Sequence, residues 1–402
     1  MTEWKTYKIG DLCDTISDTY KGCADEVALI NTSDVLEGKC LNHTKEPNRN
    51  LKGQFKKTFK KYDILYSEIR PANKRFAYID FDATNYIAST KLMVLRHNEK
   101  IEPLYLYYIL QSQGVIDELQ MLAESRSGTF PQITYSELSR LEVKLPNRVI
   151  QKQILGILGA IDDKIENNRR INANLESQAQ ALYKQWFVDF EFPNEDGKPY
   201  KSSGGKMVDS ELGLIPEGWS VGDIYKYVNV VYGAPYKSVL FNERKDGNPL
   251  IRIRDLKTFS PQYYTQEILP NTEFINAGDV VAGMDAEFVP CLWMGEKGVL
   301  NQRCCKFVGK QDSISNYYVM FLVKPELEFV QSYKTGTTVS HLGKADIDKF
   351  VVVHPPFAVI EKFSKTADAL LNNKIKLAKE NITLATLRDT LLPKLMNGEI
   401  KL

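Results

Sequence analysis

The stretch VIQKQILGILGAIDDKIENN at residues 149–168 returns as VIEKFSKTADALLNNKIKLA at residues 359–378. At one constant offset Val149, Ile150, Lys152, Lys164 and Ile165 meet Val359, Ile360, Lys362, Lys374 and Ile375. Other matches keep the same order. Trp4 opens WKTYKIGDL and Trp219 opens WSVGDI, while LINTSDV (29–35) resembles LIRIRDL (250–256). YDILYSEIRP (62–71) resembles GDVVAGMDAE (278–287). SGTFPQITYSELSRLEVKLP (127–146) resembles TGTTVSHLGKADIDKFVVVHP (335–355) with one gap. Matches held in order along 402 residues are an internal duplication, so both halves must adopt one plan.

That plan begins with about 145 residues of short Tyr, Val and Ile runs broken by Gly and Asn, a pattern of strands and turns. Thr134 and Glu137 form a capping box that opens a short helix. A β-run and a proline (Pro146, or Pro355 and Pro356) precede a long helix. The first long helix is expected at roughly 147–188. Its stripe is Ile154, Leu158, Ile161, Ile165, Ile171, Leu175, Ala179, Leu182 and Trp186, interrupted at Asn168 and Asn172. The second is expected at roughly 357–392. It offers Phe363, Ala367, Leu371, Ile375, Ala378, Ile382, Leu384, Leu387 and Leu391, with Pro393 and Gly398 ending it. The polar stretch 193–213, PNEDGKPYKSSGGKMVDSELG, reads as a flexible linker.

A helix of ~40 residues spans about 60 Å, too long to be buried against one such domain. Laying one helix antiparallel on the other about a pseudo-twofold axis covers both stripes. The expected fold class is therefore α+β: two similar globular α/β domains joined by two long, antiparallel, coiled-coil-like helices. The seam is expected to use Ile154, Leu158, Ile161, Ile165, Leu175 and Leu182 against Leu371, Ile375, Ile382 and Leu391. The expected segments are a first domain (1–145), a central helical region (146–192), the linker (193–213), a second domain (214–355) and a C-terminal helical region (356–402).

No apolar run approaches the ~18 residues of a membrane span, and the N-terminus lacks a secretory signal, so a soluble cytoplasmic protein is expected. A net charge of +1 leaves any nucleic-acid contact to local patches. The six cysteines show no CxxC, and Cys13, Cys23, Cys40 and His43 are too loosely spaced for a convincing zinc site. Catalytic signatures are missing. SGGKM carries Tyr200 where a phosphate loop needs its first glycine. HPPF (354–357) lacks the Asp or Asn of an amino-methyltransferase motif. Glu142 and Lys144, with Asp117 upstream, imitate part of a nuclease site, but the second half has Val351, Val352 and Val353 there, as a strand would.

Binding chemistry is easier to find. Residues 45–61 interleave basic residues, Lys56 and Lys57 among them, with Phe55 and Phe59, which suits a phosphate backbone or a solvated loop equally. Arg70, Lys74 and Arg75 lie close to turn residues. Arg126, Ser127 and Thr129 recur as Lys334, Thr335 and Thr337, each set offering a cation and hydroxyls to phosphate or a base edge. Arg252 and Arg254, and Asn301 and Gln302, have the forked or amide geometry that reads guanine or adenine bidentately.

Residues 145–193, LPNRVIQKQILGILGAIDDKIENNRRINANLESQAQALYKQWFVDFEFP, resemble the central conserved region of the specificity (S) subunit of type I restriction-modification enzymes. LRDTLLPKLMNGEI (387–400) resembles that family's C-terminal end, and LGLIPEGW (212–219), GDVVAGMDA and the SGT and TGT segments extend the likeness along essentially the whole chain. The resemblance implies two target recognition domains, each reading half of a bipartite double-stranded DNA site. The helices would set the spacing and dock two methyltransferase subunits, and endonuclease/translocase subunits join such complexes. It implies a chain without catalysis or bound cofactor, with S-adenosylmethionine, ATP and Mg used by partner subunits. The competing readings are a stand-alone DNA-modifying enzyme with a diverged site and a coiled-coil adaptor that does not touch DNA.

Overall fold

The computed structural model describes residues 4–49, 53–126, 130–334 and 340–402. Its chain divides into two compact units, Met1–Asp163 with Leu384–Leu402, and Lys164–Thr383. The helices are α1 (Pro103–Gln111), α2 (Gln113–Arg126), α3 (Tyr135–Leu138), α4 (Arg148–Tyr183), α5 (Asn316–Lys334), α6 (Lys344–Ile347) and α7 (Phe357–Met396). Both unit boundaries fall inside the long helices α4 and α7.

In the first unit, strands Cys13–Ile16, Leu92–His97, Ile64–Ser67 and Phe76–Tyr78 pair antiparallel in that order. A second sheet runs Glu46–Pro47, Glu26–Ile30, Tyr86–Ser89, Phe55–Lys57, and its central contact is parallel. The second unit repeats both. Its antiparallel sheet runs Val228–Tyr232, Cys304–Gly309, Val280–Gly283, Pro290–Leu292. Its mixed sheet runs Tyr264–Thr265, Asn248–Ile251, Gly298–Leu300, Phe274–Ile275. The duplication extends to register, because Leu29 and Ile30 face Ile87 and Ala88 as Leu250 and Ile251 face Val299 and Leu300. A further antiparallel pair, Lys5–Lys8 with Glu142–Leu145, recurs as Ser220–Asp223 with Val351–His354. Glu142 and Lys144 are exposed strand residues in this pair.

The long helices pack on their domains through apolar residues. In the first unit Ile154 and Leu158 of α4 share a core with Leu392 and Leu395 of α7, with Leu391 against it. Arg388 donates to Asp162 at 2.9 Å, and the Tyr108 hydroxyl donates to the other oxygen of that carboxylate at 2.5 Å. In the second unit the buried Asn168 donates its amide to Glu380 and Asn381, both at 2.9 Å, and Lys374 pairs with Glu176. Tyr183 and Trp186 meet the ring of Phe363 with centroids 6.0 and 5.9 Å apart. In the second unit Asn168 meets Glu380 and Asn381 while Glu176 meets Lys374, so partners fall in number along α7 as they rise along α4 and the helices run antiparallel. Ile165 and Leu371 are buried, and Ile161, Leu175, Leu182, Ile375, Ile382 and Leu391 are partly covered.

Two local expectations are corrected. Residues 193–213 are folded rather than flexible. Phe192 stacks on Tyr200 (4.7 Å) and Trp219 (5.0 Å), Asn194 accepts from the Asp196 and Lys198 amides, and Met207–Ser210 pairs with Gly213–Pro216. Aromatic burial outweighs the Gly/Ser composition there. α7 also runs through Pro393 to Met396, because a proline in the last turn forfeits little, and Gly398 at φ +73° closes the segment.

Candidate nucleic-acid interface

In each unit three turns converge where the two parallel strands end. The first follows Glu26–Ile30 or Asn248–Ile251 and is held by a carboxylate that accepts its opening amide. Asn31 N–H donates to Asp34 at 2.7 Å, and Arg252 N–H donates to Asp255 at 2.9 Å. The second turn holds Ser89, Thr90 and Lys91, or Asn301, Gln302 and Arg303. The third is the loop that leaves Ile64–Ser67 or Val280–Gly283. Its amide binds the second turn in both units: Glu68 N–H to Lys91 O (3.0 Å) and Met284 N–H to Arg303 O (2.8 Å). Each loop turns through a left-handed residue, Arg70 (φ +45°) or Ala286 (φ +64°), whose amide donates to Pro131 O or Ser340 O.

The same frame carries different side chains. In the second unit Arg254, Gln302 and Arg303 are exposed. Asp285 links Arg303 at 3.3 Å to His341 at 2.7 Å. Arg252 is more constrained, lying 4.3 Å over the Tyr263 ring and 3.4 Å from Asp255. Asn301 is half-buried and accepts the Arg303 amide through its side-chain oxygen. In the first unit the corresponding positions are Asn31, Ser33 and Lys91, with Arg70 exposed beside them. Lys74 is also left-handed and half-buried, and Arg75 donates to Ser33 O (3.0 Å) and Val35 O (3.4 Å), which ties loop to turn.

Other sequence candidates have internal partners. Lys57 donates to Thr90 O and Leu92 O at 3.1 and 2.8 Å, and burial pulls its pKa below the usual lysine value. Lys56, on the opposite side of that strand, is exposed. Arg126 and Lys334 recur as expected, yet each reaches a carboxylate in the short helix that follows. Arg126 lies 3.0 Å from Glu137, and Lys334 lies 2.5 Å from Asp346. The two cations thus form a duplicated clasp between α2 and α3 and between α5 and α6. Burial alone would raise the Glu137 pKa, but the Thr134 amide and hydroxyl and then Arg126 hold it below the usual glutamate value. Asp346 is held low in the same way, against burial, by Lys334 and the Gly343 amide. Ser127, Thr129, Thr335 and Thr337 lie outside the described residues.

Sequence reasoning passed over Arg303, His341, Asp285, Asn31, Ser33 and Lys91. Aligning the halves turn by turn, beyond the quoted matches, would have found most of them. Among the described residues no cluster of three or more His, Cys, Asp or Glu is arranged to hold a metal ion. Burial pushes the Cys13 thiol up to about 12 and Cys40 to about 11. No helix among the described residues is long and apolar enough to cross a membrane.

The sequence profile described as "Type I restriction modification DNA specificity domain" matches residues 1–177 and again 216–385, once for each half. This chain belongs to the type I restriction-modification specificity-subunit family. It is 30% identical, over the full length of both chains, to the type I restriction enzyme HindI specificity subunit of Haemophilus influenzae. It is 28% identical to the MjaIX specificity subunit of Methanocaldococcus jannaschii, over 74% of this chain and 69% of that one. The crystal structure of a type I S subunit from M. genitalium has the same fold. Its TM-score is 0.53 at 15% identity, over 98% of this chain and 96% of that one. As a specificity subunit, the chain serves target-DNA recognition in a type I restriction-modification complex and is not its catalytic component. The duplicated frame is thus two specificity domains, each with its own set of polar turns.

Proposed function

We propose that the segments 1–145 and 214–355 each read one half of a bipartite duplex site through their three-turn ends. Arg254, Gln302 and Arg303 contact base edges in the second domain, and Asn31, Ser33 and Lys91, with Arg70 beside them, do so in the first. Lys56 and Lys74 contribute phosphate contacts that fix register without reading sequence. Lys57, Arg126 and Lys334 hold the frame. The observation that carries this reading is one repeated backbone frame bearing two different sets of hydrogen-bonding side chains.

The helical segments 146–192 and 356–402 hold the two readers at a fixed spacing and receive two methyltransferase subunits. A groove of about 610 Å³ on the paired helices, lined by Lys164, Ile171, Leu175, Asn373, Lys376, Leu377 and Glu380, supports one docking position. Its apolar floor and charged rim suit a protein partner. Those partners supply the adenine chemistry with S-adenosylmethionine, and endonuclease/translocase subunits supply the steps that use ATP and Mg.

Reconstitution with methyltransferase subunits tests the reading. DNA affinity is expected to fall linearly in log K against log salt, and methylated adenines are expected to lie in a two-part sequence. DNA binding without salt dependence, or methyl transfer by the isolated chain, would overturn it.

A further inference from the structure

The two halves differ in the connection that leads from Cys13–Ile16 to Glu26–Ile30 and, in the second unit, from Val228–Tyr232 to Asn248–Ile251. In the first unit that connection is residues 17–25, SDTYKGCAD; in the second it is residues 233–247, GAPYKSVLFNERKDG. The longer connection projects an apolar turn, with Val239 84% and Leu240 47% exposed. The shorter one places no large exposed apolar side chain there among the described residues. Lys237, Arg244 and Lys245 flank the turn, all exposed; Glu267 accepts the Lys237 backbone amide at 2.9 Å, and none of the three side-chain cations forms an ion pair among the described residues.

The loop is built rather than slack. Leu240 N–H donates to Lys237 O at 2.9 Å, closing the turn. Asn242 exchanges backbone hydrogen bonds with Tyr264, and its side-chain oxygen accepts the Arg244 and Asp246 amides. Phe241 packs inward against Tyr263 with ring centroids 6.0 Å apart, leaving its two apolar neighbours outside.

The loop also adjoins the second domain's reading turns. Ala234 N–H donates to Leu300 O and Ala234 O accepts from Gln302 N–H, at 2.9 and 3.0 Å. At the far end Glu243 accepts from Gln262, whose side-chain oxygen lies 3.5 Å from Arg252.

An apolar point between cations whose side chains form no ion pair among the described residues, continuous with a DNA-reading surface, matches a groove flanked by phosphates. We infer that residues 237–245 form a DNA-contacting wedge found in the second domain alone. Val239 and Leu240 enter a groove against base edges, while Lys237, Arg244 and Lys245 hold the phosphates on either side. This rests on the proposed DNA-reading role and adds an unequal division to it: the second domain covers base pairs that its counterpart leaves unread.

The test uses the full chain assembled with methyltransferase subunits, a library of duplex sites and methylation mapping. Val239→Ser combined with Leu240→Ser is expected to lower discrimination about 10-fold at the outer edge of one half-site, leaving the other half-site and the spacer unchanged. Arg244→Ala with Lys245→Ala is expected to weaken binding at all sequences and reduce the salt slope by about 2. Both pairs are exposed, so melting temperature should hold; a fall would mark them as structural and overturn the inference. An unchanged map and affinity for the serine pair, or loss of methyltransferase binding in its place, would overturn it too. If the unaltered complex binds no specific site, the DNA-reading role itself fails; if it does and only the loop variants are silent, the wedge alone fails.

Discussion

At residues 29–34 and 250–255 the two halves set the same strand pair in the same register and then part company. Each turn is closed by an aspartate accepting the opening amide, but one offers Asn31 and Ser33 where the other offers Arg252 and Arg254. The pattern repeats at Ser89, Thr90 and Lys91 against Asn301, Gln302 and Arg303. Groups that hold the backbone persist, while groups that face outward change. A frame reused with new outward chemistry is what reading two unlike half-sites requires, because donor and acceptor patterns of base edges differ pair by pair.

The comparison breaks most severely at the helix anchors. Leu158 and Phe363 are fully buried where α4 and α7 leave their own domains. Leu158→Ala and Phe363→Ala should each cost about 3–5 kcal/mol. Hydrogen exchange should show the loss concentrated in residues 1–163 and 384–402 for the first change and in 164–383 for the second. A uniform loss from either would deny the units their separate cores.

Arg254→Ala combined with Gln302→Ala comes next. Each lost bidentate contact is worth about 1–3 kcal/mol of discrimination, so methylation mapping should show one half-site relaxed and the other intact. Relaxation of both halves would contradict the division of labour.

The clasps give a smaller, pH-dependent effect. Glu137 and Asp346 are held below their ordinary values of 4.5 and 3.8, so their stabilisation is complete above those values and lost as pH falls through the lower folded ones. Glu137→Gln and Asp346→Asn should therefore lower melting temperature at neutral pH and flatten its decline in acid, each by about 1 kcal/mol or less. An unchanged acid limb would mean the pairs contribute nothing.

The smallest effect belongs to the seam. Asn168 is buried with its amide bonded but its side-chain oxygen unpartnered. Asn168→Leu removes that orphaned acceptor and should raise stability by about 0.5 kcal/mol, as polar seam residues specify register at a cost in stability. A lower melting temperature would show that the bonds to Glu380 and Asn381 outweigh the orphan.

Much of this was legible because repetition cancels noise. The duplication exposed the strand at Glu142–Leu145 and the paired helices, while Thr134 with Glu137 three residues on marked the capping box locally. The clasps were harder to see, since Arg126 and Lys334 sit beside Gly and Thr like phosphate ligands, and their carboxylates come near only once the next helix turns back. Lys57 was hidden among other cations, although strand alternation places it with Phe55 and apart from Lys56. Residues 193–213 misled by composition, because the rings of Phe192, Tyr200 and Trp219 decide the packing there. The converging turns bring together residues far apart in the chain, which needed the parallel pairing to be known.

The central claim is that the two domains read while the helix pair spaces them. Four residues inserted after Asn168, with four more after the facing Glu380, add about one turn and ~6 Å while keeping the seam paired. Methylation mapping of that variant with its methyltransferase partners should show a longer unread spacer between two unchanged half-sites. A changed half-site with an unchanged spacer would contradict the account.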